Sequence, residues 1–213
     1  DLVRSRGLGD VYKRQVVTVP APAPRAERRE VEDNFAKLRQ VTWAFHAPAN
    51  FGAGDAELDL LATALGDSGT GRLYKILVHE RQLAQSVSVF QNGSSFSGMF
   101  VVTVTARTGA DQAEIERIVA DELARVTREP ITDVELRRAV TGIEAGVVWG
   151  LQGLMARANI LQSFNHYLGD PDRLSFSLDR YRAATVDGIR AVAARVLDLD
   201  HAVVIVTTPG GGK

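Results

Sequence analysis

Between residues 40 and 47 the chain alternates Val41, Trp43 and Phe45 with Thr42, Ala44 and His46. This period of two predicts a strand with one buried face. Pro48 and the glycines at 52 and 54 end it. Leu58, Leu61, Ala62 and Leu65 then recur at helical spacing and predict a helix over 55–65. The small residues at 66–71 predict a turn, and a second short helix follows over 72–81. Val87 and Val89 alternate with Ser86 and Ser88, which predicts a strand over 85–91; another follows over 96–107. Asn92-Gly93 between them is the strongest short-range hairpin signal, because both residues tolerate positive φ. Asp111 caps a helix to about 128 with Ile115, Ile118, Val119, Leu123 and Val126 as its apolar stripe. Thr132 and Glu135 form a capping box that opens the longest helical stretch, to about 168.

Four glycines, Gly142, Gly146, Gly150 and Gly153, interrupt that stretch. Each costs about 1 kcal/mol inside a helix, so a kink is expected near 149–153. Asp170-Pro171 starts a short helix through Tyr181, an amphipathic helix covers 185–197, and the β-branched run 202–207 predicts a buried last strand. The breaker Pro209-Gly210-Gly211-Gly212 closes the pattern. The strands bunch in a hairpin and at the two ends, which favours an α+β fold, a two-layer αβ sandwich, over a doubly wound parallel sheet.

The front of the chain reads differently. Residues 1–15 have no sustained apolar period and resemble adapter-derived translation, so they are left out of the fold. Residues 16–19 (VVTV) read as the end of a preceding strand. Pro20, Pro22 and Pro24 make a semi-rigid spacer, and RAERRE at 25–30 reads as charged and solvated. The expected division is a linker or tail over 1–30, one domain over 31–208, and a tail over 209–213. With 25 Lys+Arg against 26 Asp+Glu, the formal net charge of −1 argues against binding nucleic acid by phosphate neutralisation. Absence of cysteine excludes a disulfide framework, a Cys-ligated zinc and a cysteine nucleophile. No apolar run reaches the roughly 18 residues needed to span a bilayer.

Catalytic constellations are missing from the linear sequence. The four histidines, His46, His79, His166 and His201, are scattered, and neither His-Glu-x-x-His nor His-x-x-Glu-His occurs. A Gly-x-Ser-x-Gly elbow is absent, and the 66–71 loop lacks the Gly-Lys-Ser/Thr ending of a phosphate cradle. Glu114, Glu116, Asp121 and Glu122 lie among counter-charges on one helix and read as a solvated face.

Three stretches nonetheless carry a resemblance. Residues 51–61 (FGAGDAELDLL) are similar to a "pxxxxDxxaLxll" stretch. Residues 65–74 and 76–89 are similar to a "GxxSRLyxxlRexxglaYsv" segment. Residues 132–139 (TDVELRRA), 169–181 (GDPDRLSFSLDRY) and 185–197 are similar to a helical second part. Together they resemble the pitrilysin/insulinase/processing-peptidase family of zinc metallopeptidases over about residues 31–208. The resemblance implies a mixed, mostly antiparallel sheet with helices packed on one face. It also implies two homologous halves around a peptide chamber: one half carries an inverted zinc motif, and the other is metal-free and closes over the substrate. This chain resembles the second, non-catalytic half, so no cofactor is expected in it, zinc belongs to the partner half, and the partners are that half and peptide. Many such halves hold substrate with an Arg followed seven positions later by a Tyr. The matching positions here are Val78 and Gln85, of which only Gln85 keeps a hydrogen-bonding side chain. The family often implies a bacterial periplasm or envelope. Two other classes stay open: a catalytically silent assembly scaffold, and an unrelated α+β enzyme that uses dispersed histidines or carboxylates.

Overall fold

The computed structural model describes residues 25–210. The readings of 1–15, 16–19, 20–24 and the last glycines lie outside the described residues. Five strands form one sheet: β1 (Glu27–Asp33), β2 (Gln40–Ala47), β3 (Ala84–Gly93), β4 (Gly98–Ala106) and β5 (Val203–Pro209). Their spatial order is β1-β5-β2-β4-β3. Only the β1–β5 pairing is parallel, so the sheet is mixed and mostly antiparallel. The helices are α1 (Asp55–Gly66), α2 (Arg72–Tyr74, continuing as a π-helical turn over Lys75–Glu80), α3 (Gln112–Arg128), α4 (Asp133–Gly150), α5 (Leu154–Leu168), α6 (Leu174–Arg182) and α7 (Val186–Val196).

The expected two-layer α+β architecture is the one observed. Val41, Trp43, Phe45 and Ala47 of β2 and Phe100, Val102, Val104 and Ala106 of β4 point into one core. The helices close that core, with Ile115, Val119 and Leu123 from α3 and Ile189 and Ala193 from α7. Helix α1 is buried on more than one side: Leu58, Leu60, Leu61 and Leu65 are all fully buried. It lies so close to β3 that a Cβ on Gly66 would stand 2.7 Å from the Val89 Cβ and 2.8 Å from the Val89 backbone nitrogen. Both anticipated caps are present, with Asp111 accepting from the Ala113 N–H and Thr132–Glu135 forming a complete capping box. The expected kink is a break at residues 151–153 that bends α4 against α5 by 116°.

Three readings of secondary structure are corrected. Residues 27–30, read as solvated linker, open the edge strand β1. Its sequence ERREVED shows no apolar face because all but Asp33 are exposed. The strand is held by its ladder to β5 and by two hydrogen bonds from Arg28 to Glu116, of 2.9 and 3.0 Å. Asn92-Gly93 is not the hairpin turn: both residues stay in the ladder opposite Met99 and Gly98, and residues 94–97 turn the chain, with the Ser94 N–H donating to the Ser97 carbonyl. Gly93 is needed for close approach instead, since a Cβ there would lie 2.6 Å from the Asn50 nitrogen. The helix read over 72–81 is mostly a π-turn, closed by Arg81 N–H to Ile76 carbonyl (2.9 Å).

Glu122, read as part of a solvated face, is buried. The reason is Arg72, whose guanidinium donates to Glu135 through Nε (2.6 Å) and Nη2 (2.8 Å) and to Glu122 through Nη1 (3.2 Å). One cation thereby ties α2, α3 and α4 together. Glu135 also accepts from the Thr132 N–H (2.7 Å) and hydroxyl (2.9 Å). These donors, Arg72 first, hold its carboxyl far below the ordinary value of 4.5, at about 2.

Gly66→Ala is expected to destabilise the domain by about 2 kcal/mol through overpacking. Gly142→Ala, where a Cβ meets nothing within 4 Å, stabilises it by about 0.5–1 kcal/mol. Urea midpoints that moved the same way for both would contradict this packing account. For the acid limb, a lowered folded pKa means that Glu135 contributes its stability above pH 4.5 and loses it as pH falls toward about 2. The stability gap between wild type and Glu135→Gln, on the order of 2 kcal/mol near neutral pH, shrinks over that window. A gap unchanged between pH 6 and pH 3 would refute the assignment.

Candidate functional site

Because strand side chains alternate, every core-facing row has a counterpart on the opposite face. That face carries Thr42, Ala44 and His46 from β2, Met99, Val101, Thr103 and Thr105 from β4, Ser86, Ser88 and Phe90 from β3, and Val203 and Ile205 from β5. Among the described residues, none of these belongs to the core that the helices close. The face mixes small polar side chains with apolar ones and carries few charges, and its threonine hydroxyls are paired: Thr42 Oγ1 lies 3.2 Å from Thr103 Oγ1, and Gln40 Nε2 donates to Thr105 Oγ1 at 3.4 Å. Such a surface satisfies backbone amides within the sheet and offers neighbours a flat wall with few charges.

Val78 and Gln85, the positions matching the family's Arg and Tyr, are set apart by local geometry. Val78 sits in the π-turn, partly buried against the core. Gln85 is exposed and is the extra residue of a β-bulge, since Ala84 pairs with Ala106 and Ser86 with Thr105. The bulge lets Ala84 and Val87 both face the core. Three residues before Gln85, Gln82 adopts φ +53°, the left-handed conformation that glycine favours. The resembled pattern has glycine there.

Where β2 ends and β5 begins, a pocket of about 720 Å³ opens. It brings together His46 and His201, which sequence reading left scattered, with Arg195, Asp198 and Phe96. His201 Nδ1 lies 2.7 Å from Asp198 Oδ2, and this contact keeps the Asp198 carboxyl below its usual range. The other two histidines stand elsewhere: His79 packs edge-on to Tyr74 with ring centroids 5.3 Å apart, and His166 packs edge-on to Tyr167 (4.7 Å). Among the described residues no group of three or more His, Cys, Asp or Glu side chains is placed to hold a metal ion. The donor set of the described residues therefore does not fit a catalytic zinc.

A second groove, of about 490 Å³, runs between α1 and β3 on the helix side and is lined by Asp59, Tyr181 and Gln91. Tyr181 donates its hydroxyl to Asp59 Oδ2 (2.8 Å). One turn earlier on α1, buried Asp55 accepts from Arg180 (2.9 Å) and from the Phe51 N–H (2.9 Å), and the Arg180 guanidinium lies 4.5 Å from the centre of the Phe51 ring. Burial pushes the Asp59 carboxyl up to about 6, against the Tyr181 hydrogen bond, which lowers it.

The comparisons with known proteins agree on one family. The family described as "Peptidase M16 inactive domain" matches residues 5–143. An uncharacterized zinc protease of Streptomyces coelicolor is 31% identical over 66% of this chain and 30% of its own length. A protease of Helicobacter pylori superimposes with TM-score 0.80 at 16% identity, over 93% of this chain and 49% of that one, and shows the fold alone. An inactive peptidase domain from Bordetella parapertussis superimposes with TM-score 0.70 at 25% identity, over 83% of this chain and 92% of that one. The chain thus spans about a third of the length of the curated relatives it matches.

The groove yields a prediction whose sign follows from the direction of the Asp59 shift. A carboxyl raised from 3.8 to about 6 penalises its own ionised form in the folded state, so it costs stability as pH rises through that interval. Asp59→Asn, which still accepts from Tyr181, is expected to raise stability at pH 8 by about 2 kcal/mol. At pH 4 most of the advantage is gone. An equal advantage at both pH values, measured by urea unfolding, would refute the burial account.

Proposed function

The chain belongs to the peptidase M16 inactive-domain family, and from that premise we propose that it is the metal-free wall of a peptide chamber, closing over a homologous half that holds the zinc. The observation that carries this reading is the helix-free face of the sheet. A sheet face outside its own core can meet water or a neighbour, and here exposed Phe90 and Met99 stand among small polar side chains with few charges, which suits an extended peptide of varied sequence. The relatives' greater length supplies room for such a half.

The division of labour follows from the donor sets. A zinc on the other half would lower the pKa of a water, with a glutamate there as general base. This chain encloses the substrate, excludes bulk water and limits its size. It gives little electrophilic help: Val78 has no donor, and Gln85 offers one neutral amide from an exposed bulge. An oxyanion-type donor is commonly worth about 3 kcal/mol, so that assistance belongs to other residues of the assembly.

The test is reconstitution. Peptide hydrolysis should require the chain together with the zinc-bearing half encoded with it, as one polypeptide or two, and Gln85→Ala in the assembly should leave kcat within about threefold. The chain alone should cleave nothing and take up no stoichiometric zinc. Full activity from the zinc half by itself would favour the scaffold reading, and hydrolysis by the chain alone with one equivalent of zinc would overturn the proposal outright.

A further inference from the structure

We infer that the pocket at the β2–β5 end of the sheet binds a carboxylate carried on a short apolar body, and that the free C-terminus of a peptide is the ligand of this class. The identification of the ligand as a peptide rests on the chamber reading; the binding chemistry does not. Three elements converge there. Ala47 ends β2 and Pro48 and Ala49 follow it, Arg195 and Val196 end α7, and Asp198 and His201 cap and close the short turn that leads into β5. Phe96, from the β3–β4 turn, completes the lining and is 56% exposed, which leaves an apolar ring open to a ligand.

The polar side of the pocket is weighted toward anion recognition. Arg195 offers five N–H donors in a planar fork. Its one hydrogen bond is a long 3.5 Å contact to the Ala53 carbonyl, and it forms no ion pair with a described residue. A carboxylate fits that fork in a bidentate manner. Gly54, at φ +95°, makes the placement possible: a Cβ there would lie 2.9 Å from Arg195 Nη2 and 3.0 Å from Val192. His201 is oriented by Asp198 through Nδ1, which leaves Nε2 outside that contact, and His46 stands at the end of the open face. Asp198 is the one carboxylate in the lining, and it is already committed to His201. A ligand with one negative charge and a few carbons therefore satisfies Arg195 and covers Phe96 at once. A volume of about 720 Å³ falls within the range of small-ligand sites. Because His46 belongs to both the pocket and the open face, a chain lying along that face would end here with its terminal carboxylate beside Arg195.

The four histidines make the test direct. Imidazole signals of the full chain are followed by carbon–proton NMR during titration with N-acetyl-leucine, N-acetyl-leucinamide and hexanoate. The acid should shift His46 and His201 saturably with Kd on the order of 1 mM, while His79, beside Tyr74, stays put. The amide should bind about tenfold more weakly, and Arg195→Gln should lose about tenfold for the acid, its unfolding midpoint confirming a folded variant. No saturable shift, equal binding of acid and amide, or an unaffected Arg195→Gln each sink the site. Hexanoate binding as tightly as N-acetyl-leucine would overturn the peptide terminus as its ligand. Since the measurement uses this chain alone, its failure leaves the reconstitution test standing, and failure of reconstitution leaves the pocket standing.

Discussion

A sheet whose two faces are chemically unlike can be covered by helices on one side only, and most of this molecule follows from that constraint. Along β2 the core-facing residues Val41, Trp43 and Phe45 are buried, while Thr42, Ala44 and His46 share the opposite face. Helices α1, α3 and α7, with Leu73 and Leu77 of the α2 segment, take up the apolar side, and a one-residue slip in register would present Thr and His to them. The bulge at Gln85 serves the same end, because without it Ala84 and Val87 would point to opposite faces. What a second protein segment meets is therefore decided in the core: it meets the rows left over.

The helical layer is fastened by two cations placed among apolar groups. Arg72 joins α2 to Glu122 of α3 and Glu135 of α4, and Arg180 joins α6 to Asp55 at the start of α1. Removing one partner of such a pair strands a charge and commonly costs 3–5 kcal/mol, whereas replacing the whole cluster with apolar groups can be neutral. Their value is thus mainly geometric, since only one arrangement of these helices satisfies both guanidinium groups. The stretches by which the sequence resembles its family meet at these fasteners. Asp55 comes from the first stretch, Arg72 from the second, and Glu135, Arg180 and Tyr181 from the third. The resemblance is in this respect a record of packing, with little of the chemistry in it.

The periodic elements were legible because a strand with one buried face, or a helix with one apolar stripe, writes its environment into every second or every third to fourth residue. Asp111, Thr132 and Glu135 were legible as caps because their partners lie within three residues. Strand β1 was not, since an edge strand with exposed faces carries no apolar period, and ERREVED looks like any solvated run. Asn92-Gly93 misled because glycine answers two needs, positive φ and close approach, and here the backbone at Asn50 required the second. Glu122 looked solvated because Arg72 lies 50 residues away in the chain. The convergence of His46 with His201 has the same origin: it exists only once β2 and β5 are paired. The two-layer fold followed from where the strands bunch, and the family resemblance supplied the inactive-domain assignment.

The parallel pairing of β1 with β5 has a mechanical side. The described chain enters at the Glu27 end of this ladder and leaves at the Pro209 end, with Glu27 beside Val203 and Asp33 beside Pro209. Tension drawn between those two points slides the strands past one another and loads their hydrogen bonds together, where a hairpin pulled at its open end would unzip them one at a time. The most charged and most exposed strand of the sheet is in this way a shear clasp, which holds best along the very axis on which the polypeptide itself would tug.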